Sequence, residues 1–296
     1  MDKRKYLDPS MVAKLNNMQL RARLVVEGYM IGYHKSPYHG FSVEFAEHRS
    51  YGHGDEVRHI DWKLYGKTDR YYVKRFEEET NVRSHILLDS SQSMKFGSGS
   101  VNKLSYATYL SAALTYLMLN QKDAVGLVLF DEKIKKFIPP KSTQSHSNII
   151  MKTLEKVTPG YDTRIRPVLD SMAERIRKRG LIILISDLLD DPEKVLMGLK
   201  HFRYNKQEII VFHLMDPEEY NFDFGERIQF TDMESGESIT TDPWHIRKAY
   251  KNQIDQFNKT YQYGCRDLKI DYVPLFTNQP LDIALNEFLN KRQKLK

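Results

Sequence analysis

An aspartate follows three apolar residues at 86–88, and two of the serines after it stand at alternate positions; from His85 the chain reads HILLDSSQSMKFGSGS. In an extended turn the hydroxyls of Ser91 and Ser93 face the same way, next to the carboxylate of Asp89. A second apolar run, LIILI at 181–185, ends in Ser186-Asp187, and Thr163 stands after the Pro159-Gly160 turn and before a helical pattern. All these groups offer oxygen. Oxygen donors suit a hard cation, Mg2+ or Mn2+, held near-octahedrally with some retained water. Neutral hydroxyls do little to offset a 2+ charge. A site with one direct carboxylate therefore stays net positive and would accept an outside carboxylate as its last ligand. Asp, Ser and Thr are also favoured helix N-caps, so each of the three segments taken alone reads equally as a cap. Their occurrence together, at the ends of strand-like runs, favours the metal.

Positioning these groups takes a sheet. From residue 86 onward, short apolar runs alternate with amphipathic stretches. Strands are expected at 86–88, 125–130, 133–138, 181–185, 208–214 and 270–275. Helices are expected over 104–117, where Leu104, Ala107, Leu110, Leu114 and Leu117 recur every three or four residues, and over 142–157, 165–178, 195–202, 243–261 and 281–289. Continuous apolar strands joined by helices imply an open, mostly parallel α/β sheet buried on both faces. Ligands of such sheets bind beyond the carboxyl ends of the strands, where Asp89 and Asp187 fall. Residues 227–241, with a Glu234-Ser235-Gly236 turn, read as an inserted β-hairpin. Upstream, 9–33 reads as helix, 34–60 as loops and short strands, and 70–79 as a strand entering the main domain.

Asp89-Ser90-Ser91-Gln92-Ser93, then Thr163, then Asp187 resemble the metal-ion-dependent adhesion site of von Willebrand factor A domains. The resemblance implies a Rossmann-like α/β sandwich with helices on both faces of the sheet. It implies direct ligation by Ser91 and Ser93, direct or water-mediated ligation by Asp89 and Asp187, and participation of Thr163 in one state. It also implies protein binding rather than catalysis. The stretch RSYGHGDEVRHIDW at 49–62, with Glu77-Glu78-Glu79, resembles the bacterial proteins called domain of unknown function 58. That likeness runs from about Phe41 through the Asp216-Pro217-Glu218 turn to the C-terminal helix. It implies a partnership with a MoxR-type AAA+ ATPase or its client protein. Two departures stand out: Leu188 follows Asp187 where many adhesion-type sites have glycine, and Asp162 precedes Thr163 as a competing ligand. The expected organisation is an N-terminal extension over 1–80 and a von Willebrand factor A-like domain over 81–296, with the hairpin inserted near 226–241.

Composition narrows the partners. The 296 residues carry a formal charge of +6, with Lys and Arg scattered among Asp and Glu rather than massed, so no nucleic-acid partner is expected. Tyr71, Tyr72 and Phe76 alternate with basic residues, a pattern that a half-buried strand explains better than base stacking. The one cysteine, Cys265, allows no intrachain disulfide and reads as a small buried hydrophobe. The N-terminus lacks the apolar stretch of a signal peptide, and 181–185, the longest apolar run, falls far short of the roughly 18 residues of a membrane span. A cytoplasmic protein without a transmembrane segment is expected. His53, Asp55, His59 and Asp61 read as a structured loop, with Arg58 and Asp55 paired and Trp62 packed beneath, in preference to a metal cluster. Phe222 and Phe224 read either as an exposed partner patch or as packing at a strand end. No nucleophile elbow, phosphate loop or dinucleotide fingerprint occurs, so a non-enzymatic role is expected. The alternative is a metal-dependent hydrolase acting on phosphoesters.

Overall fold

A computed structural model describes residues 8–15, 17–33, 48–52, 60, 62–74, 82–160, 164–222, 224, 228–231, 238–241 and 243–294. The chain divides into two compact units, residues 1–35 with 82–296 and residues 36–81. The stretch expected as one extension, 1–80, is thus divided between them. Its start forms two helices where one was expected, α1 (Pro9–Ala13) and α2 (Met18–Tyr33). Asn17 makes the restart, its Oδ1 accepting the Gln19 N–H at 2.7 Å and the Leu20 N–H at 3.3 Å.

The smaller unit contains β1 (His48–Ser50), α3 (Trp62–Thr68) and β2 (Tyr72–Lys74), the strands pairing antiparallel. Trp62 is exposed and meets Tyr65 edge-on, and Tyr65 stacks on Tyr71 at 4.5 Å. The expected packing of Trp62 beneath the loop is therefore not found. The remainder of that expectation, His53, Asp55, Arg58, His59 and Asp61, lies outside the described residues, as do Phe76 and Glu77 to Glu79.

The larger unit continues with β3 (Arg83–Asp89), α4 (Lys103–Asn120), β4 (Ala124–Phe130) and β5 (Ile134–Lys141). Next come α5 (Gln144–Leu154), α6 (Ile165–Arg175), β6 (Leu181–Ser186), α7 (Pro192–Tyr204) and β7 (Glu208–Met215). It closes with α8 (Pro217–Asn221), the hairpin β8 (Ile228–Thr231) and β9 (Ser238–Thr241), α9 (Pro243–Asp267), β10 (Asp271–Phe276) and α10 (Asp282–Lys294). Six strands form one sheet in the order β10-β7-β6-β3-β4-β5, all parallel except the edge strand β5, which returns antiparallel along β4. Pro139 and Pro140 suit that edge, where the missing N–H leaves no ladder bond unmade.

Side chains alternate across the sheet with period two. Ile86 and Leu88 of β3 face a core built with α2, α4, α5 and α10; Leu87 faces a second core with α6, α7 and the Tyr261 and Cys265 end of α9. Helices therefore cover both faces, as expected. The burial of each such leucine contributes roughly 1.5–3 kcal/mol. Helix α4 is buried nearly all round because it lies between the sheet and α2, and even its first residue, Lys103, is fully buried. Helix α8 was not anticipated from the sequence. It is a single turn capped by Asp216, whose Oδ1 accepts the Glu218 N–H at 3.0 Å, with Pro217 at its first position.

Candidate metal centre

The chain leaves β3 toward β4 on one side and later places β6 on the other. The carboxyl ends of β3 and β6 therefore flank the point where strand order reverses, the usual ligand crevice of an open α/β sheet. Asp89 is the last residue of β3, and Asp187 follows the last residue of β6. Both are buried, as are Ser90, Ser91 and Ser186, while Ser93 is half-buried.

Two oxygens of Asp89 organise the loop. Oδ1 accepts the Ser91 N–H at 2.9 Å, and Oδ2 accepts the Ser186 hydroxyl at 2.6 Å. The second bond ties the β3 loop to the end of β6, and Ser186 was not singled out as a site residue from sequence. The Ser91 and Ser93 hydroxyl oxygens lie 3.0 Å apart. Adjacent ligands of an octahedral Mg2+ at 2.0–2.1 Å stand roughly 2.8–3.0 Å apart, so this pair has the spacing of one octahedral edge.

Helix capping does not account for these residues. The short 3-10 turn Ser93–Lys95 starts at Gln92 without a side-chain cap, α4 is capped by Asn102, and α7 by Asp191. Leu188 occupies the left-handed region at φ 54, which β-carbon sterics disfavour for leucine. The strained conformation is held by burial and by the Leu188 N–H donating to Ser186 Oγ at 2.9 Å. The departure from glycine noted in the sequence thus changes the residue but keeps a backbone that glycine would favour.

Thr163 and the competing Asp162 lie outside the described residues. Their flanks are anchored to the site loops, however. The Gly160 N–H donates to the Ser90 carbonyl at 2.6 Å, and the Ile165 N–H donates to Asp190 Oδ2 at 2.9 Å. A side chain at 160 would run into the carboxylate of Asp131 and the ammonium of Lys135, which pair at 3.0 Å.

Two charged groups enter that sequence reasoning missed. The Lys103 ammonium, fully buried, donates to Asp187 Oδ2 at 2.8 Å and to both carboxylate oxygens of Glu219, at 3.0 and 3.2 Å. A lysine at the start of a strongly apolar helix was the one available signal. Burial works against its charge, but Asp187 and Glu219 outweigh it and hold the lysine protonated. Burial, partly offset by Lys103, raises the pKa of Glu219. Among the described residues Asp89 has no cationic hydrogen-bond partner. Burial, and then repulsion from Asp187, push its carboxyl up to about 7. His213 supports Asp187 from behind: its Nε2 meets the Asp187 carbonyl at 2.9 Å and its Nδ1 the Tyr272 hydroxyl at 2.6 Å. A carbonyl can only accept, so Nε2 carries the proton; burial depresses the ring to about 4 and keeps it neutral. His85, also buried in β3, is likewise held down to about 4 by burial.

The charges of Asp89, Asp187, Glu219 and Lys103 add to −2 when all are ionised, the complement of one divalent cation. This revises the sequence argument, which counted one carboxylate and found the loaded site net positive; with its full charged surroundings a loaded site would be neutral, so an open coordination position rather than net charge would have to draw an outside carboxylate. Among the described residues no group of three or more His, Cys, Asp or Glu forms a metal cage. The donor set is instead hydroxyl-rich. A buried carboxylate without a cationic partner, next to two hydroxyls at octahedral spacing, fits a hard cation.

A six-stranded, mostly parallel sheet with an antiparallel edge strand, covered by helices on both faces, defines a von Willebrand factor A-like α/β fold. Within that class the chain belongs to the family described as Protein of unknown function DUF58, whose family model matches residues 47–260. It is 24% identical over 233 residues to the uncharacterized protein Rv1480 of Mycobacterium tuberculosis, a match covering 77% of this chain and 73% of that protein. The uncharacterized protein Mb1516 of Mycobacterium bovis matches to the same extent. Among solved structures, the conserved hypothetical protein BatB from Bacteroides thetaiotaomicron superposes with a TM-score of 0.50 at 19% identity, covering 72% of this chain and 99% of that one. An aerotolerance-related membrane protein from Bacteroides fragilis, carrying multiple mutations to serines, also has a TM-score of 0.50 at 19% identity, with 71% and 99% covered. In this chain no described helix is long and apolar enough to cross a membrane.

The remaining expectations resolve into packing. Cys265 is fully buried, as expected. Phe222 is buried against Phe224 and Tyr250, at ring distances of 5.2 and 4.4 Å, which favours strand-end packing over an exposed patch.

Proposed function

We propose that this protein is a non-enzymatic, metal-dependent protein-interaction module. Ser91 and Ser93 would hold Mg2+ or Mn2+ directly. Asp89 and Asp187 would hold it directly or through water, and Thr163 would join from its loop. A bound divalent cation supplies an open coordination position for an anionic oxygen, here the carboxylate of a partner's Asp or Glu. The chain's own residues do the rest. Ser186 and the Ser91 N–H aim Asp89, and His213 fixes the backbone at Asp187. The partner we propose is a MoxR-type AAA+ ATPase or its client protein, on the strength of the family resemblance. The observation that carries the metal reading is the octahedral spacing of the Ser91 and Ser93 hydroxyls next to an uncompensated buried carboxylate.

The test is calorimetric titration of Mg2+ and Mn2+ into wild type and Asp89→Ala, followed by capture of the ATPase from lysate with Mg2+ or with EDTA. Binding of metal by wild type alone, and a captured ATPase that elutes in EDTA, is the expected result. Capture unchanged by EDTA would overturn the reading. So would metal-dependent turnover of a phosphoester that is lost in Asp187→Ala.

A further inference from the structure

Among the described residues, one buried cation stands at the site. Lys103 opens α4, is fully buried, and sends its ammonium to Asp187 and Glu219. Structural ammonium groups are seldom buried, because desolvation is expensive unless a carboxylate is close. Here the lysine takes Oδ2 of Asp187, while Oδ1 is met by the Leu189 N–H at the long distance of 3.4 Å. Asp187 therefore has one oxygen committed to an internal cation and one met only by a long backbone hydrogen bond among the described residues. Glu219, on α8, reaches the same ammonium from an element that carries no other site residue.

We propose that the Lys103 ammonium, clamped between Asp187 and Glu219, is a resident counter-cation that shares Asp187 with the divalent metal and keeps that metal weakly held until a partner's carboxylate completes the site. This inference rests on the metal-binding reading of the same centre. Lys103 keeps the metal-free site intact by neutralising one buried carboxylate. It also repels the incoming 2+ ion at short range, in surroundings where charges are poorly screened. Glu219 acts in the opposite sense, drawing the ammonium away from Asp187 and adding a negative charge. Together they set the affinity from two sides: removing Lys103 takes the four-group charge from −2 to −3, and removing Glu219 takes it to −1. A metal held this way loads and unloads with the partner instead of acting as a permanent structural ion. The device is invisible in a ligand list, because neither residue need touch the metal.

The experiment is calorimetric titration of Mn2+ into wild type, Lys103→Met and Glu219→Gln, with far-UV circular dichroism confirming the fold of each. Methionine preserves the length of the lysine stem without its charge. Lys103→Met is expected to bind Mn2+ roughly tenfold or more tighter than wild type, and Glu219→Gln roughly tenfold or more weaker, the signs following from the charge removed. Unchanged or weaker binding in a folded Lys103→Met overturns the inference. If Lys103→Met does not fold, the partly buried Glu219 decides: unchanged or tighter binding in Glu219→Gln overturns the inference, and weaker binding upholds it. Wild type that binds no Mn2+ while Lys103→Met does would overturn both the metal-dependent function and the inference, because the lysine would then replace the metal instead of sharing Asp187 with it. No binding by any of the three overturns both.

Discussion

Asp89→Asn should make the metal-free protein more stable, and increasingly so as pH rises. In the folded chain burial and Asp187 raise the Asp89 carboxyl from 3.8 to about 7. At 1.36 kcal/mol per tenfold change in proton affinity, the ionised form is disfavoured by roughly 4 kcal/mol. The sign follows from linkage. Below the unfolded value both states are protonated and nothing is lost. Between the unfolded and folded values the unfolded chain releases its proton while the folded chain keeps it, so stability falls as pH rises. Above about 7 the whole penalty is present. Asparagine removes the charge at every pH. It can still accept the Ser91 N–H, but it replaces an acceptor of the Ser186 hydroxyl with a donor, a pH-independent loss of about 1 kcal/mol. Between about pH 5 and pH 8 the variant's advantage over wild type should therefore grow by roughly 2–3 kcal/mol. Urea unfolding in EDTA at both pH values measures it, with the slope against denaturant checked for constancy. Saturating Mg2+ should abolish the advantage, because the cation stabilises the ionised carboxylate of wild type. A stability difference that does not change with pH would refute the argument that Asp89 is a buried charge in need of a cation.

Two further outcomes test the frame around the site. Asp216 is buried and accepts from the Ser98 hydroxyl and N–H, the Thr277 hydroxyl and the Glu218 N–H. Burial opposes its charge, but these bonds, led by those from Ser98, hold its carboxyl below the ordinary value, so its contribution is present at neutral pH and fades as pH falls through that lowered value. Asp216→Ala should lower stability by roughly 2–4 kcal/mol, since several buried donors lose their acceptor, with chemical denaturation at neutral pH as the check. Cys265 is buried and burial pushes its thiol up to about 12, so an alkylating reagent at mildly alkaline pH should modify it only as the chain opens. Mass spectrometry should show protection in buffer and full labelling in denaturant; rapid labelling of the native chain would place Cys265 outside the core.

How much of this was legible beforehand depended on the range of the forces involved. Strand and helix identities came through because period two and period 3.6 are local consequences of backbone geometry. The apolar runs at 181–185 and 208–214 were readable as buried parallel strands for that reason. Asp89, Ser91 and Ser93 were readable because three oxygen donors within five residues converge by local geometry alone. The break after α1 and the single-turn α8 were missed because each depends on one capping side chain, Asn17 and Asp216, that competes with an equally plausible continuation or turn.

By itself, then, the sequence determined the α/β class, the sheet-end location of both aspartates and the hydroxyl-rich character of the donor set. Tertiary structure alone decided the electrostatics. Ser186 reaches Asp89 across 97 residues of chain, Lys103 reaches Asp187 across 84, and Glu219 reaches Lys103 across 116. No local pattern encodes such meetings. A lysine at a helix start looks the same in sequence whether its ammonium is in water or sealed between two carboxylates, and only the packing of α4 against the sheet places it beside Asp187 and Glu219.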